Sequence, residues 1–121
     1  MFANTITLTV NAVAKVLRRV NQDNYGSEYS LQSATESIVM KIRHSVDAVD
    51  KITGVGMKRH NVFVEWVVFP NVTDLEKRYT YTATLRNGEK NDPAQVADLA
   101  LAVNVWLAST TIMDDLAVGD N

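Results

Sequence analysis

The sequence predicts an α+β fold, an antiparallel sheet followed by two C-terminal helices. Stretches between residues 5 and 86 alternate apolar and polar side chains with the period of a β-strand. From Pro93 the apolar spacing becomes helical and stays so to the C-terminus. All strand candidates precede both helix candidates, an order that fits α+β rather than alternating βα units. At 121 residues, 46% hydrophobic and 21% charged, the chain is sized for one domain over 1–121, with hairpin and sheet in 1–90 and helices in 91–121.

Thr5, Ile6, Thr7, Leu8, Thr9 and Val10 alternate strictly and are mostly β-branched, which gives a first strand. Asn11-Ala12-Val13 connects it to a second strand over 15–22, so the chain opens with a β-hairpin. Residues 23–27, with Asp23, Asn24 and Gly26, read as a turn. A short third strand covers 28–32 and a fourth covers 36–46. In the fourth, Ile38, Met40, Ile42 and Val46 share one face and Ser37, Lys41, Arg43 and Ser45 the other, with Val39 the exception. Residues 47–56, containing two glycines, read as a loop. A fifth strand over 57–69 sets His60, Val62, Val64, Trp66 and Val68 against Arg59, Asn61, Phe63, Glu65 and Val67. Pro70 ends it. Residues 76–86 alternate again, with Tyr79, Tyr81, Ala83 and Leu85 opposed to Arg78, Thr80, Thr82, Thr84 and Arg86.

Asp92, Pro93 and Gln95 form a helix start: a capping acceptor, proline at the first helical position and a capping-box partner. Val96, Leu99, Ala100, Val103 and Leu107, with Trp106 beside them, carry the helix to 108. Ser109-Thr110-Thr111 starts a second helix over 112–118, and Gly119 stops it. Two short helices cover only part of the apolar face of a five-stranded sheet, and a long bare edge invites pairing. The pattern therefore predicts a homodimer joined through sheet edges or exchanged helices, with Val96, Leu99, Val103, Trp106 and Leu107 packing the core or the dimer.

The absence of cysteine excludes disulfides, thiolate catalysis and thiolate metal sites. No stretch has the length of a membrane span, and residues 1–10 carry no basic residue of a leader, so cytosolic synthesis and no membrane partner are expected. His44 and His60 stand singly and read as structural. The acids are scattered, no nucleophile or phosphate-loop motif is present, and an enzyme is not expected. No cofactor is implied, although Asp114, Asp115 and Asp120 are candidates for a divalent cation at a subunit contact. Asn71-Val72-Thr73 matches a glycosylation sequon, a triplet common by chance.

The net charge of −2 conceals an asymmetry. All twelve Lys and Arg lie between Lys15 and Lys90, whereas five Asp and no base follow Asn91. Lys41, Arg43, Arg59, Asn61, Arg78, Thr80, Thr82, Thr84 and Arg86 fall in the phase opposite the core residues. If their strands are neighbours, they make one cationic surface with amides and hydroxyls between the charges. Arg and Lys suit phosphates, and Asn and Thr suit bases and 2′-hydroxyls, so RNA is a partner this pattern fits. An ordinary solvated sheet face has the same period. Two other readings are a cellular dimeric RNA-binding module that forms no particles, and a small-molecule-binding or enzymatic dimer, which needs a closed apolar pocket.

Residues 14–31, AKVLRRVNQDNYGSEYSL, with VMKIRHSV at 39–46 and KRHNVFVEW at 58–66, resemble the coat proteins of the small single-stranded RNA bacteriophages, the levivirus coat family. Within it the chain is similar to the coat protein of a Caulobacter RNA phage. The resemblance implies an N-terminal hairpin, a five-stranded antiparallel sheet and two helices that clasp a partner subunit, giving an interlocked homodimer with a ten-stranded sheet. It further implies a T=3 icosahedral capsid around RNA, assembled in the bacterial host cytoplasm, and an operator hairpin whose binding represses translation. The family's RNA contacts fall on Lys41, Arg43, Arg59, Asn61, Glu65, Arg78, Thr80, Thr82, Thr84 and Arg86. Residues 70–75 are shorter than the family's loop at the symmetry axes, which predicts a vestigial sixth strand. Val39 and Phe63 interrupt the polar face.

Overall fold

A computed structural model describes residues 2–47, 49, 51, 52 and 54–119. β1 (Thr5–Val10), β2 (Val13–Asp23), β3 (Gly26–Gln32), β4 (Glu36–Val46), β5 (Met57–Val68) and β6 (Lys77–Gly88) form one antiparallel sheet in sequence order. The expected five-stranded sheet beside a hairpin is thus a six-stranded sheet with the hairpin built into it, because β2 pairs with both β1 and β3. The sixth strand is not vestigial. It runs 12 residues and pairs with β5 throughout, since its alternation supplies a wet and a dry face along its whole length.

The strand ends depart from the sequence pattern at two turns. Asn11 and Ala12 adopt left-handed backbone, φ 49° and 64°, the geometry of a two-residue turn that matches hairpin twist. Val13 and Ala14 are therefore already paired, with Val10 and Thr9. Gly26 is not in the turn but begins β3, paired with Asp23 and Arg43. A Cβ at Gly26 would collide with the Ile42 carbonyl oxygen and lie 2.9 Å from Arg43 Nη1. Gly26→Ala is expected to cost about 1–3 kcal/mol by overpacking, seen as a lower urea midpoint at unchanged slope.

The core lies on one side of the sheet. Leu17, Tyr29, Ile38 and Ile42 are buried, with Ile6, Leu8, Leu31, Met40, Val62, Val64 and Trp66 packed against them. The register of β2 shifts between Arg19 and Asn21, and a bulge of this kind bends a strand. The sheet curls, so that Leu8 and Val10 of β1 border one hollow with Ile38, Val64 and Trp66. The Tyr29 hydroxyl donates to the Ala3 carbonyl at 2.7 Å.

Glu36 ties the hairpin to the sheet, its carboxylate held by the Lys15 ammonium and by the Trp66 indole N–H at 2.9 Å. The Lys15 and Trp66 hydrogen bonds outweigh desolvation and hold its carboxyl below the ordinary 4.5. A lowered folded value means stabilisation that is present above pH 4.5 and is lost as pH falls through that lowered value. Glu36→Gln is expected to cost about 1–3 kcal/mol at pH 7. Urea unfolding should show the difference from wild type shrinking as the solution is acidified.

α1 (Pro93–Leu107) starts as the sequence predicts, the Asp92 carboxylate accepting from the Ala94 N–H at 3.0 Å. α2 (Thr110–Val118) ends at Gly119, φ 79°. Contrary to expectation, the helices do not cover the apolar face of their own sheet. α1 packs on β6, α2 packs on α1, the two meet at 84°, and no residue of either is buried. The hairpin already occupies that face, and the short connection over 89–92 sends α1 along the outer strand. Val96 and Leu107 are half-buried, while Leu99, Val103 and Trp106 are exposed. No single helix among the described residues is long and apolar enough to cross a membrane.

Candidate nucleic-acid interface

Successive side chains of a strand leave opposite faces of its sheet, so the pairing register fixes what shares a face. Across β4, β5 and β6, Arg59 lies in one row with Ser45 and Arg86, and Asn61 with Arg43 and Thr84. Phe63 lies with Lys41 and Thr82, Glu65 with Val39 and Thr80, and Val67 with Ser37 and Arg78. All ten residues singled out in the sequence, Lys41, Arg43, Arg59, Asn61, Glu65, Arg78, Thr80, Thr82, Thr84 and Arg86, are brought together on the side away from the core. The rows also place Val39 and Phe63 there, both half-buried, and Val67, which is buried at the end of the face beside Ser37 and Arg78.

Asn61 organises the centre. Its amide donates to Thr82 Oγ1 at 3.0 Å, Thr84 Oγ1 at 2.9 Å and the Ala83 carbonyl at 3.2 Å. Each threonine oxygen that accepts in this way keeps its own O–H to donate elsewhere. The face therefore presents hydroxyl donors at its middle, suited to phosphate, carbonyl or ribose oxygens.

The charges divide into two kinds. Arg78 is paired with Glu65 at 3.0 Å and Glu76 at 3.6 Å, Arg43 with Glu28 at 3.9 Å, and Arg86 with Asp47. Such exposed pairs contribute little to stability, and a phosphate competes with the carboxylates for the same guanidinium forks. Lys41 and Arg59 have no ion-pair partner among the described residues and are exposed. Arg18 joins the face from β2, in one row with Ser30 and Val39. It was missed because the sequence reading built the face from three strands. Its signal was the phase it shares with Ala14 and Val16 on β2, opposite the buried Leu17.

Residues 3–88, all six strands, match a family model described as phage phiCb5, coat protein. The chain belongs to this coat-protein family. Its fold resembles that of the virus-like particle of bacteriophage AVE019 with a TM-score of 0.69 at 14% identity, covering 100% of this chain and 99% of that one. The likeness thus extends over the two helices that the family model leaves out. No curated protein matches the sequence. The coat protein is a structural component of a bacteriophage virion rather than an enzyme.

Other candidates of the sequence lie off this face. In the coat protein His44 and His60 are not single but opposite each other on β4 and β5, on the core side. Asp114 and Asp115 sit on α2, and Asp120 lies outside the described residues. Among the described residues no three His, Asp or Glu gather as metal ligands. Asn71 of the sequon closes a turn, its side-chain oxygen accepting from the Thr73 and Asp74 N–H groups at 2.8 and 2.7 Å.

Proposed function

We propose that this coat protein forms a homodimer by pairing β6 edge to edge and laying α1 and α2 over the partner subunit, and that dimers assemble into an icosahedral shell packaging single-stranded RNA. The observation that carries the dimer is α1. Leu99, Leu101, Val103, Val105 and Trp106 are all exposed, and a helix that is apolar all round belongs in an interior. β6 is an outer strand with one edge unpaired, and Tyr79 and Tyr81 on its apolar side are half exposed. A second copy supplies cover for all three. Joining two six-stranded sheets gives twelve strands in place of the expected ten.

RNA lies against the polar face in this reading. Lys41 and Arg59 hold phosphates from the outset, Arg43, Arg78 and Arg86 exchange their carboxylates for phosphate, and Asn61, Thr80, Thr82 and Thr84 meet bases and 2′-hydroxyls. A T=3 shell, assembly in the host cytoplasm, repression through an operator hairpin and a divalent cation between subunits extend the proposal. Size-exclusion chromatography with light scattering and dual-wavelength absorbance, on protein expressed in bacteria, tests it. A megadalton peak rich in nucleic acid is expected. A clean dimer free of RNA under assembly conditions would overturn packaging and favour a binding module.

A further inference from the structure

The two histidines form a pair of metal-ligating side chains that the RNA face leaves unused. His44 and His60 stand directly opposite each other on β4 and β5, with their Nδ1 atoms 2.8 Å apart and their rings inclined at 67°. His44 is exposed and His60 half-buried. β5 is paired with β4 and β6 along this stretch; β4 pairs with β3 up to Arg43, and just beyond it the His44 N–H is held by the Tyr25 carbonyl at 2.7 Å. The backbone that carries the rings is therefore fixed.

Two imidazole nitrogens 2.8 Å apart share one proton, one Nδ1–H donating to the other Nδ1. An ion bound to both at about 2.0–2.1 Å sees them at an angle of roughly 90°. That is the angle between neighbouring ligands in a tetragonal or square-planar site, whereas a tetrahedral ion needs the nitrogens roughly 3.3 Å apart. We infer that His44 and His60 form a two-imidazole chelate for a tetragonal late transition-metal ion, Cu²⁺ or Ni²⁺. The ring centroids are 5.0 Å apart, so the two Nδ1 atoms point at each other. Binding moves the shared proton to Nε2 of the donor ring and turns both rings off the N–N line until both Nδ1 lone pairs face the ion, and a neutral pair releases no net proton. No third His, Asp or Glu completes the set among the described residues, and water fills the remaining positions. Gln22 and Asp23 border the hollow beside His44 and bond such waters. The site lies on the opposite side of the sheet from Lys41 and Arg59 and does not depend on the RNA reading.

Titration of the purified coat protein with NiCl₂ and with CuCl₂, followed by calorimetry, tests the chelate. One ion per chain is expected, with His44→Asn and His60→Asn each weakening binding at least tenfold, and an electron paramagnetic resonance spectrum of the Cu²⁺ form showing two equatorial imidazole nitrogens. Unchanged affinity in either variant, or a single-nitrogen spectrum, overturns it. His44 is exposed, so His44→Asn should fold as wild type does. If His60→Asn does not, the His44→Asn titration and the wild-type spectrum decide alone.

Discussion

Leu101→Glu combined with Val105→Glu is expected to abolish both the dimer and the particle while leaving the strand content intact. The two residues lie one helical turn apart on α1, are 63% and 76% exposed, and do not border the groove between α1 and β6 that Leu99 and Val103 line. In an isolated chain two glutamates there are solvated and harmless. Against a partner subunit the same change loses about 1.5–3 kcal/mol of apolar burial per side chain, on two chains at once, and buries carboxylates with no base nearby in either helix. The loss of roughly 6–12 kcal/mol equals the whole affinity of a dimer with a Kd between about 40 μM and a few nanomolar. Light scattering on the variant would show monomer with a wild-type strand signal in circular dichroism. Dimers or particles that persist would show that α1 is not the clasp.

That α1 needs a partner was half written in the sequence. The spacing of Val96, Leu99, Ala100, Val103 and Leu107 gave the helix and one apolar stripe. Leu101 and Val105 lie off that stripe and are equally apolar, which was the sign that no side of α1 faces water. What period-two and helical patterns do not carry is which surface each stripe meets. The apolar face of β4 and β5 was assigned to the helices, yet the hairpin reaches it first, through the bulge after Arg19 and the Lys15–Glu36–Trp66 contact. Those are long-range facts, 21 and 30 residues apart in the chain. Local chemistry was more legible. The fourth strand runs over 36–46 as read, and the Asp92 cap is where the sequence put it. The Asn11-Ala12 turn was blurred because the second left-handed position is an alanine where glycine usually announces the turn.

The candidate face shows the same division, and it yields a prediction with two signs. Alternation placed ten residues on one side of the sheet, but not the acids that answer them, since Asp47 comes from a loop and Glu28 from β3. Lys41→Glu with Arg59→Glu removes the two cations that are free to meet phosphate from the start. For single-stranded nucleic acid each lost contact lowers the salt slope by about 0.7, so two contacts are worth roughly 25-fold in affinity at 0.1 M salt, more when the charge is reversed. Asp47→Asn acts the other way. It releases Arg86 from its ion pair, adds one phosphate contact, and is expected to tighten binding about fivefold at 0.1 M salt with a slope steeper by about 0.7. Fluorescence anisotropy with a labelled single-stranded RNA, repeated at several salt concentrations, reads both changes. A face that merely happens to be polar would leave both variants at wild-type affinity. If RNA binds elsewhere on the coat protein, a general electrostatic effect would shift affinity with net charge, yet removing Asp47 would not steepen the slope by one contact. Only a guanidinium held in reserve by its carboxylate gives a steeper salt slope from deleting a single acid at the edge of this sheet.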